Sequence, residues 1–434
     1  MAERFSRITS AAFFSLCVIL LFSPAGSYSQ QPVYPPVVGN IVIMGNNSTD
    51  EEIIRRELLF TEGDTLNDSM LVISENRLNN LLLFNRVEIN LIPAQDRVIV
   101  LIQVTERLYI FPYPVLQLED RDWNKITYGF GIVHENFRGR NEKLAANVLF
   151  GNRPGFNIKY YNPWFGGKAH LSGGIFLKKF QMDNRLYGFP ERHFDMDFFF
   201  GKNWTYYFSN RIALGRIDIS VDNAYAGYFQ NQTREINNYV VLSTLYDKRD
   251  IYAYPTAGFF FKNEIGYFGL FNDKLNYWKF LFDIRKYAHW KSLIFAGRFY
   301  TLQTVGDLPV YDLVYIGFGE RVRGHFYEVY YGRHAMIASL ELRYPIISTR
   351  YYTIPVQYVP PLFTQNLKFG INAGLFYDAG MSWGYDRAFV KENLIQGFGA
   401  GLHIRLPYIE VFRIEAAFNE QFRIEYIFEV RISF

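Results

Sequence analysis

The sequence predicts a mainly β fold, an antiparallel transmembrane β-barrel of about sixteen strands behind one small α+β unit. Three observations predict it. First, the final thirteen residues alternate. Phe422, Ile424, Tyr426, Phe428, Val430, Ile432 and Phe434 share one parity, and Arg423, Glu425, Glu429, Arg431 and Ser433 the other, with Ile427 the one lapse. A strand sends successive side chains to opposite faces, so this segment has an apolar face and a charged face. A soluble sandwich buries such an apolar face; a membrane barrel turns it to lipid and the charges to a wet lumen. Second, aromatic residues make up 19% of the 434-residue chain against 20% charged, a load that suits an interface-rich protein. Third, from Pro112 onward, segments of about ten residues with period two follow one another without a helical pattern.

Taken in order, the chain begins with a secretory signal peptide over residues 1–29. Arg4 and Arg7 precede the apolar stretch Ala11 to Phe22, and small residues follow at Ala25, Gly26, Ser27 and Ser29. Cys17, the only cysteine, lies inside that stretch, and Leu16 before it is unlike a lipoprotein signal. The mature chain is then free of disulfides, thiol nucleophiles and thiolate metal sites. Beyond the signal there is no run of about 18 apolar residues, so helical spans are not expected. These features fit the bacterial periplasm or outer membrane. A formal charge of +3 is too small to mark a nucleic-acid binder.

Residues 38–108 carry a different pattern. Ile41 to Met44 reads as a strand ended by Gly45-Asn46. A helix start follows, capped by Ser48 with Glu51 or by Thr49 with Glu52. A second helix over about Asn67 to Leu82 places Leu71, Ser74, Leu78, Leu81 and Leu82 on one face. Strands at Arg86 to Leu91 and Arg97 to Thr105 close the unit around a turn at Pro93 to Asp96. The order is β-α-α-β-β.

Residues 112–434 form the barrel. Leu144, Ala146, Val148 and Phe150 share a parity; Trp278, Phe280, Phe282 and Ile284 oppose Lys279, Asp283 and Arg285; Phe412, Ile414, Ala416 and Phe418 oppose Arg413, Glu415 and Asn419. The short segment Tyr113 to Leu118 serves as first strand, closing against the last. An even strand number puts both barrel ends on the side of the N-terminal unit.

Several short motifs then stand in a telling order. They are Asn136-Phe137-Arg138-Gly139, Asn162-Pro163-Trp164-Phe165, Asp247-Lys248-Arg249-Asp250 with Pro255-Thr256 and Gly258, and Gly319-Glu320-Arg321-Val322-Arg323-Gly324. Ser339 to Pro345 and Phe376-Tyr377-Asp378-Ala379-Gly380 complete the set. Together they resemble the BamA/TamA-type surface-antigen superfamily of outer-membrane assembly factors. The β-α-α-β-β unit resembles its periplasmic POTRA domain. Val322-Arg323-Gly324 resembles the tip of the family's long sixth extracellular loop. The family places an aromatic residue after Arg-Gly, whereas this chain has His325 and then Phe326.

The resemblance implies that Arg323 folds into the barrel and pairs with Asp378, with Gly380 beside it. The residues support half of this independently. Lys368, Gly370, Asn372, Gly374, Phe376 and Asp378 share one parity, opposite Phe369, Ile371, Ala373, Leu375 and Tyr377, so Asp378 is expected to face the lumen. A guanidinium donates two parallel hydrogen bonds to a carboxylate, which Lys cannot do. The seven histidines are scattered without ligand spacing, and no nucleotide, hydrolase or metalloprotease motif occurs, so no catalytic residue, metal or cofactor is expected.

The expected function is insertion of outer-membrane proteins, or translocation of polypeptide, at a seam between the first and last strands. Tyr426 and Phe428 are expected on the last strand's half of that seam, and the terminal Phe434 resembles the C-terminal signature of outer-membrane barrels. Expected partners are outer-membrane lipids, polypeptide clients and periplasmic accessory proteins docking on residues 38–108. A dedicated export pore, a passive channel or a structural surface antigen are the alternatives.

Overall fold

The computed structural model describes residues 36–431 except 95, 119–125, 230–231, 318, 326–327, 356–357, 359–362 and 408–409. The expected signal peptide with Cys17, and residues Phe326 and Phe434, lie outside the described residues.

The N-terminal unit comprises β1 (Val38–Met44), α1 (Glu51–Arg55), α2 (Asp68–Asn80), β2 (Phe84–Ala94) and β3 (Arg97–Glu106). Its sheet runs β1-β3-β2, with β1 parallel and β2 antiparallel to β3. Ile41, Ile54, Leu66, Leu78, Val100 and Ile102 form its core. Asn67 caps α2, its side chain accepting the Met70 N–H at 2.9 Å. The expected capping box on α1 does not form; Asp50 is the N-cap and its side chain makes no cap bond. The Glu106 carboxylate takes the backbone N–H groups of Ser48 (3.1 Å) and Thr49 (2.8 Å) instead. A carboxylate fixed on β3 thus takes the N–H that Glu51 or Glu52 accepts in a capping box.

Sixteen strands form one antiparallel sheet. They are β4 (Ile110–Leu118), β5 (Ile126–Phe137), β6 (Glu142–Gly151), β7 (Gly155–Phe165), β8 (Leu171–Asp183), β9 (Pro190–Asn203), β10 (Phe208–Ser220), β11 (Arg234–Asp247), β12 (Gly258–Leu270), β13 (Tyr277–Trp290) and β14 (Leu293–Gly306). A long loop follows, pinched by a two-stranded ribbon of β15 (Val314–Ile316) and β16 (Tyr330–Gly332). The sheet resumes with β17 (His334–Tyr352), β18 (Leu367–Trp383), β19 (Ile395–Leu406), β20 (Glu410–Asn419) and β21 (Ile424–Arg431). Neighbours in sequence are neighbours in space, with β14 pairing β17 across the long loop.

The burial pattern is inverted relative to a soluble protein. On β21, Ile424, Tyr426, Phe428 and Val430 are between 47% and 68% exposed, whereas Glu425 is buried. Tyr128, Phe130, Phe198, Phe200 and Leu214 also face out, while Asp283, Arg343, Asp378, His403 and Glu415 are buried. An apolar wall outside and charges inside is the membrane-barrel arrangement. Ile427, the lapse in the last strand, packs inward against Phe376 and Ala417.

β4 begins at Ile110, earlier than the expected Tyr113, and carries Pro112 and Pro114 within it. The ladder tolerates them for a geometric reason. The Glu135 N–H donates to the Tyr109 carbonyl at 2.8 Å, in register with the Ile110–His134 pair. Hydrogen-bonded and non-bonded pairs alternate, so Phe111, Tyr113 and Val115 bond β5 while Pro112, Pro114 and Leu116 turn their backbone groups to the other side. That side is the free edge, because β4 and β21 are the two ends of the sheet and no ladder joins them among the described residues.

Candidate functional site

The tip of the long loop lies against the lumenal wall. Val322 is fully buried beside Val314, Ile316, Tyr330 and Ile337. Gly380 on β18 makes room for it, since a Cβ there would sit 2.8 Å from a Val322 methyl. Arg323 meets Asp378 in a fork: Nε to Oδ2 at 2.7 Å and Nη2 to Oδ1 at 2.9 Å, with its backbone N–H on Oδ2 at 3.2 Å. Its Nη1 lies between Glu341 of β17 (3.0 Å) and Glu415 of β20 (3.1 Å). The Phe376 ring stacks under the guanidinium at 3.7 Å. Three carboxylates and one ring face thus surround the Arg323 guanidinium, and Glu341 is shared with Arg343.

Neighbouring residues extend the grip. Gly324 has φ +95° and its N–H donates to Glu425 on β21 at 3.1 Å. His325 is buried; Nε2 lies 2.8 Å from Glu420 in the β20–β21 turn and 3.1 Å from the Gln396 carbonyl. Its Nδ1 meets the Tyr330 hydroxyl at 2.9 Å and Glu328 at 3.2 Å. Hydrogen bonds to β19 and to the β20–β21 turn thus hold this loop side chain against the wall. Glu320 pairs with Arg298 on β14 at 2.7 Å, and Arg298 with Asp283 on β13 at 2.8 Å. The tip therefore touches β14 and β17 to β21, the C-terminal part of the wall.

The sequence singled out Arg323, Asp378, Gly380 and the loop motif, and the structure brings these together. Glu341, Phe376, Glu415 and Glu425 complete the socket; alternation showed only which face the last three occupy. Tyr426 and Phe428 lie on the outer face of β21, away from the socket. Glu341, His403 and Glu415 also place one ligand atom each within 4.8 Å of one another, and Arg323 Nη1 pairs with both carboxylates of that group.

A second junction joins the N-terminal unit to one end of the barrel. The Asp50 N–H donates to Gly139 O at 3.0 Å, and Asn136 Nδ2 to Thr49 Oγ1 at 2.9 Å. Arg56 lies over Trp164 at 5.2 Å and Arg77 over Tyr206 at 3.7 Å. Asn80 exchanges hydrogen bonds with Asp250 O (2.9 Å) and the Tyr252 N–H (2.8 Å). Asn366 donates to Thr105 at 2.9 Å and accepts from Arg86 at 3.2 Å. The unit thus spans the barrel mouth, and the motifs at Asn136, Asn162 and Asp247 lie at or beside the turns it covers. Glu57, on this side of the unit, is buried with one carboxylate oxygen lacking a hydrogen-bond partner. Burial raises its pKa against the pull of Arg56 and Arg77.

An apolar outer wall, a charged lumen and a small unit across one mouth define an outer-membrane β-barrel with a periplasmic docking domain. The Omp85 superfamily domain matches residues 136–434, well over half of the chain, and the POTRA domain, described as a surface antigen variable number repeat, matches residues 36–107. The chain belongs to the Omp85 superfamily and is of the BamA/TamA type. Its barrel lies in the outer membrane, with the POTRA domain in the periplasm. A curated relative is the outer membrane protein assembly factor BamA of Nitratidesulfovibrio vulgaris, 24% identical over 323 residues. The match takes in 68% of this chain but 38% of that relative, so the chain spans well under half the relative's length. Among solved structures, BamA from Haemophilus ducreyi lacking POTRA domains 1–3 is similar, with a TM-score of 0.52 and 18% identity over 92% of this chain and 83% of that one. CdiB from Acinetobacter baumannii gives 0.52 at 14% identity, covering 91% and 73%. These structures share the fold.

Proposed function

We propose that this protein assists the insertion of outer-membrane proteins, or the passage of polypeptide across the outer membrane, without enzymatic chemistry. The carrying observation is the sheet with two ends, β4 and β21, that no ladder joins among the described residues. An edge strand offers unpaired N–H and C=O groups that template an incoming strand. Pro112 and Pro114 remove two donors from the β4 edge, which weakens closure and leaves β21 ready to exchange partners. The POTRA domain, proposed to span residues 38–108, presents clients and accessory proteins to that edge. The loop tip, with Arg323 on Asp378, braces the C-terminal strands while the edge is open.

A passive channel fits less well, because the loop tip occupies the lumen and the POTRA domain spans the mouth. A dedicated exporter of one partner uses the same parts on a different client. Two assays separate these readings. Purified protein in proteoliposomes is expected to accelerate insertion of an unfolded test β-barrel and to show low conductance in planar bilayers. Steady high conductance with no acceleration contradicts the proposal.

A further inference from the structure

The seam and the POTRA domain meet at one side chain. Arg107 follows β3 directly, in the linker of residues 107–109 that leads to β4. It is 4% exposed. Nη2 donates to Glu135 on β5 and Nη1 to Glu410 on β20, both at 3.3 Å. β5 backs β4 and β20 backs β21, so one guanidinium bridges the strands behind the two end strands of the sheet. The POTRA domain fixes where that guanidinium sits. Glu106, the residue before it, accepts from Ser48 and Thr49, and the Tyr109 hydroxyl meets Thr49 Oγ1 at 2.9 Å.

We propose that Arg107 is a positioning residue that couples POTRA docking to the periplasmic end of the seam. With the domain docked, Arg107 staples β5 to β20. A polypeptide that draws the domain off the barrel turns withdraws Arg107. Glu135 and Glu410 then face each other across the seam, each retaining a lysine, Lys143 at 3.7 Å and Lys368 respectively. The seam opens from the periplasmic side, where clients arrive. This rests on the seam being the working edge, as proposed above.

The test is a double-mutant cycle in the full chain, in a Cys17→Ser background reconstituted in proteoliposomes. Spin labels on Ile110→Cys and Val430→Cys report the periplasmic end of the seam, and on Leu116→Cys and Tyr426→Cys the other end. Docking is weakened far from the seam by Arg77→Ala with Asn80→Ala. Those changes are expected to raise the open population at the periplasmic pair by about an order of magnitude, comparable to losing a charge-assisted hydrogen bond. Arg107→Gln alone is expected to do the same, the combination to add nothing, and Arg107→Lys to restore part of the closure. Additive effects, or a periplasmic pair indifferent to undocking, overturn the coupling. Glu410→Gln supplies the same cycle where Arg107→Gln fails to fold, as judged by heat-modifiable gel mobility. Failure of the seam reading has a separate signature: a covalently closed seam that still inserts clients, whatever Arg107 does.

Discussion

Arg323 shows what a single residue contributes and how much of it the sequence announces. Parity along β18 placed Asp378 on the lumenal face, and the family motif supplied its partner. Glu415 was legible only as one of the polar face of its strand, because alternation reports which face a side chain takes and not its height along the barrel. Asp378→Ala is expected to cost about 2–4 kcal/mol of local stability, below the full penalty of an orphaned buried charge, because Glu341 and Glu415 still hold Arg323. Loss of heat-modifiable mobility and of protease protection in the long loop measures it; wild-type behaviour in both contradicts it. Gly324→Ala is expected to cost about 1–3 kcal/mol through its left-handed backbone. The added Cβ would also stand 2.9 Å from the Phe418 carbonyl. The same protease assay reads this out, with the loop tip cut faster.

At the scale of elements, period-two alternation identified strands reliably and their ends poorly. β4 starts at Ile110 because antiparallel geometry hides Pro112 and Pro114 on the edge away from β5, and a rule that ends strands at proline misses that. The capping box before α1 was misread because the carboxylate that takes the Thr49 N–H, Glu106, is 57 residues away in sequence. Ile427 broke the alternation because it fills a lumenal pocket against Phe376 and Ala417. Docking of the POTRA domain was not legible at all, since it depends on turns spread along the barrel. The domain itself carries a pH prediction through Glu57. Burial raises the carboxyl's pKa in the folded state, so the ionised form costs stability there. That cost is present at neutral pH and fades as pH falls through the raised folded value towards that of the unfolded chain. The POTRA domain is therefore expected to become more stable on mild acidification, and Glu57→Gln to abolish the trend. Hydrogen exchange of α1 in the full chain, corrected for intrinsic rates, checks it; an unchanged slope in the variant contradicts it.

At the scale of the whole molecule, the alternating last strand, the aromatic load and the motif order together made the architecture legible. The open question was what such a wall does, and that turns on its two ends. Sixteen strands curl until Arg107 reaches both β5 and β20, yet no ladder joins β4 to β21 among the described residues. The loop tip grips the C-terminal strands, the POTRA domain grips the turns, and the seam lies between these two anchored parts. The most direct measurement closes that seam covalently. Cysteines introduced as Leu116→Cys and Tyr426→Cys in a Cys17→Ser background are cross-linked in proteoliposomes, and insertion of a test β-barrel is timed. Cross-linking is expected to abolish the acceleration and reduction to restore it, with heat-modifiable folding intact throughout. Full activity in the cross-linked protein contradicts the account.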